Sequence, residues 1–125
     1  VVEMNSDRLT AEIFLPWPDR RLSPNSRGHW VTLARAKKKA KQDAYFAALE
    51  AGVGKIKADA ITVRYSFFPP THRSYDLDNL VASMKAAADG IAMAIGVDDS
   101  KWRLEIAPRG PIERNGMVKV DLEWQ

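Results

Sequence analysis

Apolar and polar positions along the chain mark out six elements. Thr10–Leu15 (Thr-Ala-Glu-Ile-Phe-Leu) reads as a first strand, and Pro16-Trp17-Pro18 closes it because proline cannot donate to a ladder. From about His29 to Ala51, Leu33, Ala40, Ala44, Ala47, Ala48 and Leu49 supply the apolar positions of a predicted helix that ends near Gly52 and Gly54. Ala58–Phe68 is the clearest strand: Ile61, Val63, Tyr65 and Phe67 alternate with Thr62, Arg64 and Ser66 until Pro69-Pro70. From about Asn79, Leu80, Met84, Ala87, Ala88, Ile91, Ala94 and Ile95 recur at helical spacing and predict one helix to Ile95. Trp102, Leu104 and Ile106 mark a strand over Lys101–Ala107, Asn115-Gly116 is a hairpin signal, and Val118, Val120, Leu122 and Trp124 mark the last strand, Met117–Trp124. The predicted order is β-α-β-α-β-β, an α+β domain with two helices on one face of a four-stranded mixed sheet. It occupies residues 1–125, with residues 1–9 expected as a flexible extension.

Composition narrows the chemistry. A chain of 125 residues forms one domain with a core of its own. The absence of cysteine excludes disulfides and zinc–thiolate sites, and only His29 and His72 are available as imidazole ligands. A catalytic metal would therefore be held mostly by oxygen. No apolar run is long enough for a membrane helix and no secretory signal stands out, so a cytoplasmic location and no membrane partner are expected. The net charge is only +3, but it is unevenly spread. Arg20–Gln42 holds no acidic residue while carrying Arg20, Arg21, Arg27, Arg35, Lys37, Lys38, Lys39 and Lys41. Such a block suits a polyanion, and equally suits a solvated helix face. The loop Asp19–Gly28, flanked by Trp17 and Trp30, is long and basic enough to be a binding loop.

The stretch Tyr75–Asp99 carries the candidate chemistry. Asp76 and Asp78 lie two apart, a spacing that in an extended segment points both carboxylates to one side. Like charges so placed repel unless a cation neutralises them, and an all-oxygen site suits Mg²⁺ or Mn²⁺. Lys85, one or two turns on, is placed for a phosphate or a developing negative charge. The same aspartates also suit a helix N-cap and first turn. His72 and Arg73 lead directly into this motif from the end of the second strand.

Taken together, Leu15-Pro-Trp-Pro18, the basic Ser/Pro/Asn loop, Asp76-Leu-Asp-Asn-Leu80, Lys85-Ala-Ala-Ala-Asp-Gly90 and Gly96-Val-Asp-Asp99 resemble the RusA family of Holliday-junction resolvases, often carried by phages and prophages. The resemblance runs from about Ile13 to the C-terminus. It implies a homodimeric endonuclease, dependent on Mg²⁺ or Mn²⁺ and without a small-molecule cofactor, that nicks opposed strands of four-way branched DNA in recombination and repair. Its essential carboxylates and metal ligands would be Asp76, Asp78 and Asp99. The family's catalytic lysine follows the second aspartate by four positions, where this chain has Ala82; Lys85 begins the matching segment and is its counterpart on the same helix face. Asn79 would support Asp78 or a metal-bound water. Arg20, Arg21, Arg27, Lys37, Lys38, Lys41 and Arg73 would hold DNA.

A single helix from Asn79 to Ile95 would be about 25 Å long. Asp99, four residues beyond it, would then not return easily to Asp78. Either the partner subunit supplies Asp99, or the helix breaks at Asp89-Gly90. Two other functions remain on the residues alone. One is a branched-DNA-binding protein of the same fold without catalysis, which the displaced lysine keeps open. The other is a phosphotransferase or phosphatase on a small phosphoester, for which the chain lacks a glycine-rich phosphate loop.

Overall fold

The computed structural model describes residues 1–125. Five strands form one mixed sheet: β1 (Val2–Asn5), β2 (Arg8–Pro16), β3 (Ile61–Phe68), β4 (Trp102–Ile106) and β5 (Met117–Trp124), in the order β1-β2-β5-β3-β4. Only β3 and β4 run parallel, Ile61 opposite Trp102 and Tyr65 opposite Ile106. A parallel pair needs a long crossover, and helices α2 (Leu77–Ser83) and α3 (Lys85–Ile95) supply it. Helix α1 (Trp30–Glu50) connects β2 to β3. The architecture is α+β as expected, with one more strand and one more helix.

The extra strand comes from residues 1–9. In place of a flexible extension, Val2–Asn5 pairs antiparallel with β2 through a two-residue turn in which Ser6 takes a left-handed backbone (φ 57°). The strand lies at the sheet edge and most of it is exposed, so it carries no alternation for a sequence pattern to register.

Alternation elsewhere fixes which face is covered. Ile13 and Leu15, Val63, Tyr65 and Phe67, and Val118, Val120 and Leu122 are buried in one cluster with Ala44 and Ala48 of α1 and Ala87, Ile91 and Ile95 of α3. Their neighbours Glu12, Phe14 and Arg64 are exposed. The helices therefore cover one face of the sheet and leave the other open. Edge strand β4 keeps its alternation, with Trp102, Leu104 and Ile106 on the covered face beside Ile61, Val63 and Tyr65, but at the sheet edge Leu104 remains 44% exposed.

The extra helix comes from a break. The chain turns at Met84 (φ −86°, ψ −2°), which ends α2 and starts α3. Just before it the Ser83 hydroxyl donates back to the Asn79 carbonyl, one turn earlier, at 2.7 Å, a back-bond that bends helices. The break thus falls five residues before Asp89-Gly90. No helix is long and apolar enough to cross a membrane.

Helix α3 lies against α1 at Gly90. A β-carbon there would stand 2.1 Å from the Lys41 carbonyl oxygen and 3.1 Å from the Tyr45 nitrogen, both backbone atoms that cannot swing aside. Gly90→Ala is therefore expected to destabilise the fold by about 1–3 kcal/mol, as overpacking does, despite alanine's better helix propensity. Gly54→Ala, with open space around it, serves as the control in thermal denaturation.

Candidate nucleic-acid interface and carboxylate cluster

The close α1–α3 approach brings two charged rows together. Lys37, Lys38 and Lys41 of α1 face Lys85 and Asp89 of α3 across a groove of about 430 Å³, with Ala82 and Ser83 at the α2 end. At the head of α3 the Lys85 ammonium donates to Asp99 Oδ2 at 2.5 Å and to Asp89 Oδ1 at 3.0 Å. These hydrogen bonds, that to Asp99 foremost, raise the Lys85 pKa well above its ordinary value, so the side chain is a fixed positive charge and not a base. Beneath them lies Tyr65 of β3; burial, helped by the negative charge of Asp99, pushes its hydroxyl up to about 12.

Asp99 opens a 3₁₀ turn, Asp99–Lys101, that Asp98 caps by accepting from the Ser100 N–H at 3.1 Å. Hydrogen bonds from Ser100 hold Asp98 below the usual carboxylate range. Asp98 is thus the cap residue, and Asp99 points to Lys85. Because α3 has only eleven residues, about 16 Å, Asp99 returns to its head within one chain. A single long helix would have prevented that.

Asp76 and Asp78 stand at α2. The helix begins at Leu77, not near Asn79; Asp76 is its N-cap and accepts from the Asn79 N–H at 3.2 Å, while Asp78 sits in the first turn. Helical turning replaces the extended backbone that would have set both carboxylates on one side. Asp78 is exposed and forms no hydrogen bond or ion pair.

The loop before α2 is held from a distance. Arg109 donates to the carbonyls of Thr71 and Arg73, both at 2.9 Å, and its guanidinium lies 5.4 Å from the Tyr75 ring centre. Arg73 stacks on the same ring at 4.8 Å. Trp17 meets Tyr75 edge-on at 5.1 Å. Sequence gave no sign of Arg109, an isolated arginine after β4 whose partners are 36 and 38 residues away. Asp89, by contrast, lies one helical turn from Lys85, a pairing readable in advance.

The other candidate residues divide. Lys37, Lys38 and Lys41 are brought together with Lys85, and Arg20 and Arg73 share a second cleft with Asp76 and Asn79. Arg27 is exposed in the loop. Arg21 is engaged by Asp19 at 2.6 Å, and that hydrogen-bonded guanidinium holds the Asp19 carboxyl down at about 2. The three candidate metal ligands do not converge: Asp76 caps α2, Asp78 faces solvent and Asp99 is bound to Lys85. No three aspartate, glutamate or histidine side chains come together in one chain so as to hold an ion. The donor set of a single chain therefore does not fit a three-carboxylate metal site.

No family model matches the chain. It is 40% identical over 111 residues to an uncharacterized protein of Xylella fastidiosa (strain Temecula1 / ATCC 700964), an alignment spanning 86% of this chain and 72% of that protein. The chain belongs to the same family as that protein.

The Lys85–Tyr65 arrangement predicts an alkaline limit to stability. Between pH 10 and about 12 the unfolded chain loses the Tyr65 proton that the folded chain keeps, and Lys85 behaves in the same direction from 10.5 upward. Both contributions are complete below about pH 10; that of Tyr65 is lost as pH rises through that window, and that of Lys85 declines from about 10.5 and beyond its upper end. Thermal stability is expected to fall there, with Tyr65→Phe falling less by up to about 2 kcal/mol.

Proposed function

We propose that this member of the family is a structure-specific endodeoxyribonuclease of the RusA kind, dependent on Mg²⁺ or Mn²⁺ and acting as a homodimer on four-way branched DNA. The observation that supports it is the groove in which Lys37, Lys38 and Lys41 lead to Lys85, Asp89 and Asp99. A row of lysines is a track for phosphates, and its affinity comes from released counterions. The track ends on carboxylates, which a protein that only holds phosphate does not need there.

In this function Lys37, Lys38 and Lys41 bind the DNA backbone. Lys85, protonated throughout the physiological range, offsets charge that builds on phosphorus as water attacks and the 3′-oxygen leaves. Asp76, Asp78 and Asp99 are the essential carboxylates. Since one chain does not gather them, we assign their completion to the homodimer, with Asp99 reaching the Asp76/Asp78 loop of the other copy.

A second function has its own observation. The dispersal of the three carboxylates, with Lys85 already held by Asp89 and Asp99, favours a branched-DNA-binding protein without catalysis.

One experiment separates them: a labelled synthetic four-way junction with and without Mg²⁺, beside a linear duplex and an Asp78→Asn control. Paired symmetric nicks that need both metal and Asp78 are the expected result. Junction binding without nicks in Mg²⁺ or Mn²⁺ selects the binding protein, and neither binding nor nicking overturns both. Mixing Asp78→Asn with Asp99→Asn subunits should restore nicking; no restoration assigns Asp99 to its own chain's site. Separately, replacing Lys37, Lys38 and Lys41 by alanine should lower the slope of log affinity against log salt by about 3 for each subunit engaged, near 0.9 per phosphate contact.

A further inference from the structure

We infer that a second cleft, adjoining the lysine groove at Ser83, binds one unpaired deoxynucleotide of the DNA and reads its base. The inference deepens the DNA-binding function proposed above. The cleft opens between the Pro16–Ser23 segment and the loop before α2, and its volume of about 570 Å³ lies within the range of small-molecule sites, ~300–1,000 Å³. Trp17 and Tyr75 supply aromatic wall, Arg20 and Arg73 supply positive charge, and Asn79 lies beside Asp76 in the lining. Aromatic wall, guanidinium and amide together match three features of a nucleotide: the flat face of its base, its phosphate and the polar edge of the base.

The groups that are free and those that are spent define the site further. Asp19 is neutralised by Arg21, and the Ser83 hydroxyl is committed to the Asn79 carbonyl. Asp76 uses one oxygen to cap α2. Arg20 and Arg73 form no ion pair within the chain, so two guanidiniums face one remaining carboxylate and the cleft is net attractive to phosphate. The Asn79 side-chain amide makes no hydrogen bond in the protein. A half-buried amide that both donates and accepts is the kind of group that discriminates bases by their edges.

Both walls are preorganised. Gly116 (φ +73°) leaves room for Trp17: a β-carbon there would lie 2.7 Å from Trp17 Cβ and 3.0 Å from Pro70 Cδ. Phe67 packs edge-on against the indole at 6.1 Å. Opposite, Arg109 fixes the Thr71 and Arg73 carbonyls, and the Tyr75 hydroxyl is 3.0 Å from that of Thr71. A cleft that does not have to be built on binding loses less affinity to ordering. A nucleotide in it would lie beside Asp76, so base choice here would set where the neighbouring backbone is cut.

The probe is the set of four deoxynucleoside monophosphates, added at up to about 10 mM, a range that covers ligands with only the few kcal/mol expected of one stacked base. The readout is the Trp17 indole N–H resonance in protein NMR, assigned with Trp17→Phe. At least one monophosphate should shift it saturably; Arg73→Ala should weaken that binding severalfold, and Asn79→Ala should compress the differences among the four bases. If no monophosphate moves the Trp17 signal, or if Asn79→Ala leaves both affinity and ranking as in the parent, the inference falls. Junction binding is measured in parallel by fluorescence anisotropy. Monophosphate binding without junction binding would keep the nucleotide cleft and remove the branched-DNA function; junction binding with a silent Trp17 would do the reverse.

Discussion

The structure depends on one contact without a side chain. At Gly90 helix α3 approaches α1 so closely that the Lys41 carbonyl occupies the space of a β-carbon. Small buried residues on both helices, Ala44 and Ala48 on one and Ala87 and Ala94 on the other, continue the seam. A mid-helix glycine costs about 1 kcal/mol in propensity, and the close packing offsets it. The distance so fixed sets the chemistry above it. With larger residues in the seam, Lys37, Lys38 and Lys41 would stand away from Lys85 and Asp89, and two separate charged helices would replace one groove.

The second determinant is the turn at Met84. It is linked to the first, since Lys85 owes its place at the head of α3 to the end of α2 one residue before. A continuous helix would have placed Lys85 in line with Asp78 and left Asp99 remote. The back-bond from Ser83 to Asn79 and the burial of Met84 (2% exposed) shorten α3, and Asp99 then reaches Lys85 within the chain. The catalytic lysine of the resemblance is in this way tied to Asp99 before it meets any aspartate of the Asp76/Asp78 motif.

What was legible in the sequence follows from which physical terms are local. β2, β3 and β5 were readable because each buries alternate residues against a single layer of helices. Helix α1 was readable from its apolar spacing, and its ends fell within a residue or so of His29 and Ala51. The edge strand β1 was not, because it buries almost nothing and is held by backbone pairing alone. The break at Met84 was missed because Leu80, Met84, Ala87, Ala88 and Ile91 keep a helical period across it; serine back-bonding leaves no mark on periodicity. At the candidate site the basic row on α1 was legible as a charge block, whereas Asp89 read as a helix-surface residue although its spacing from Lys85 allows their pairing. The Arg109 anchor and the Trp17–Tyr75 contact arise from tertiary approach across dozens of residues, which composition and spacing do not register.

The charge balance at the end of the groove weighs between the two DNA functions. Asp89 and Asp99 carry two negative charges against one ammonium from Lys85, so their cluster retains a deficit of positive charge. In the proposed function three further lysines would bring a phosphate along the groove to this net negative cluster. For a protein whose task ends with binding, two carboxylates at the terminus of a phosphate track oppose the interaction that the rest of the groove builds. Their presence is economical only if something is to happen to the phosphate where it meets them. Asp99 is the residue in which this opposition and the resemblance coincide, since it belongs both to the Lys85 cluster and to the Gly96-Val-Asp-Asp99 motif. That coincidence is the physical ground for ranking the nuclease above the binding protein.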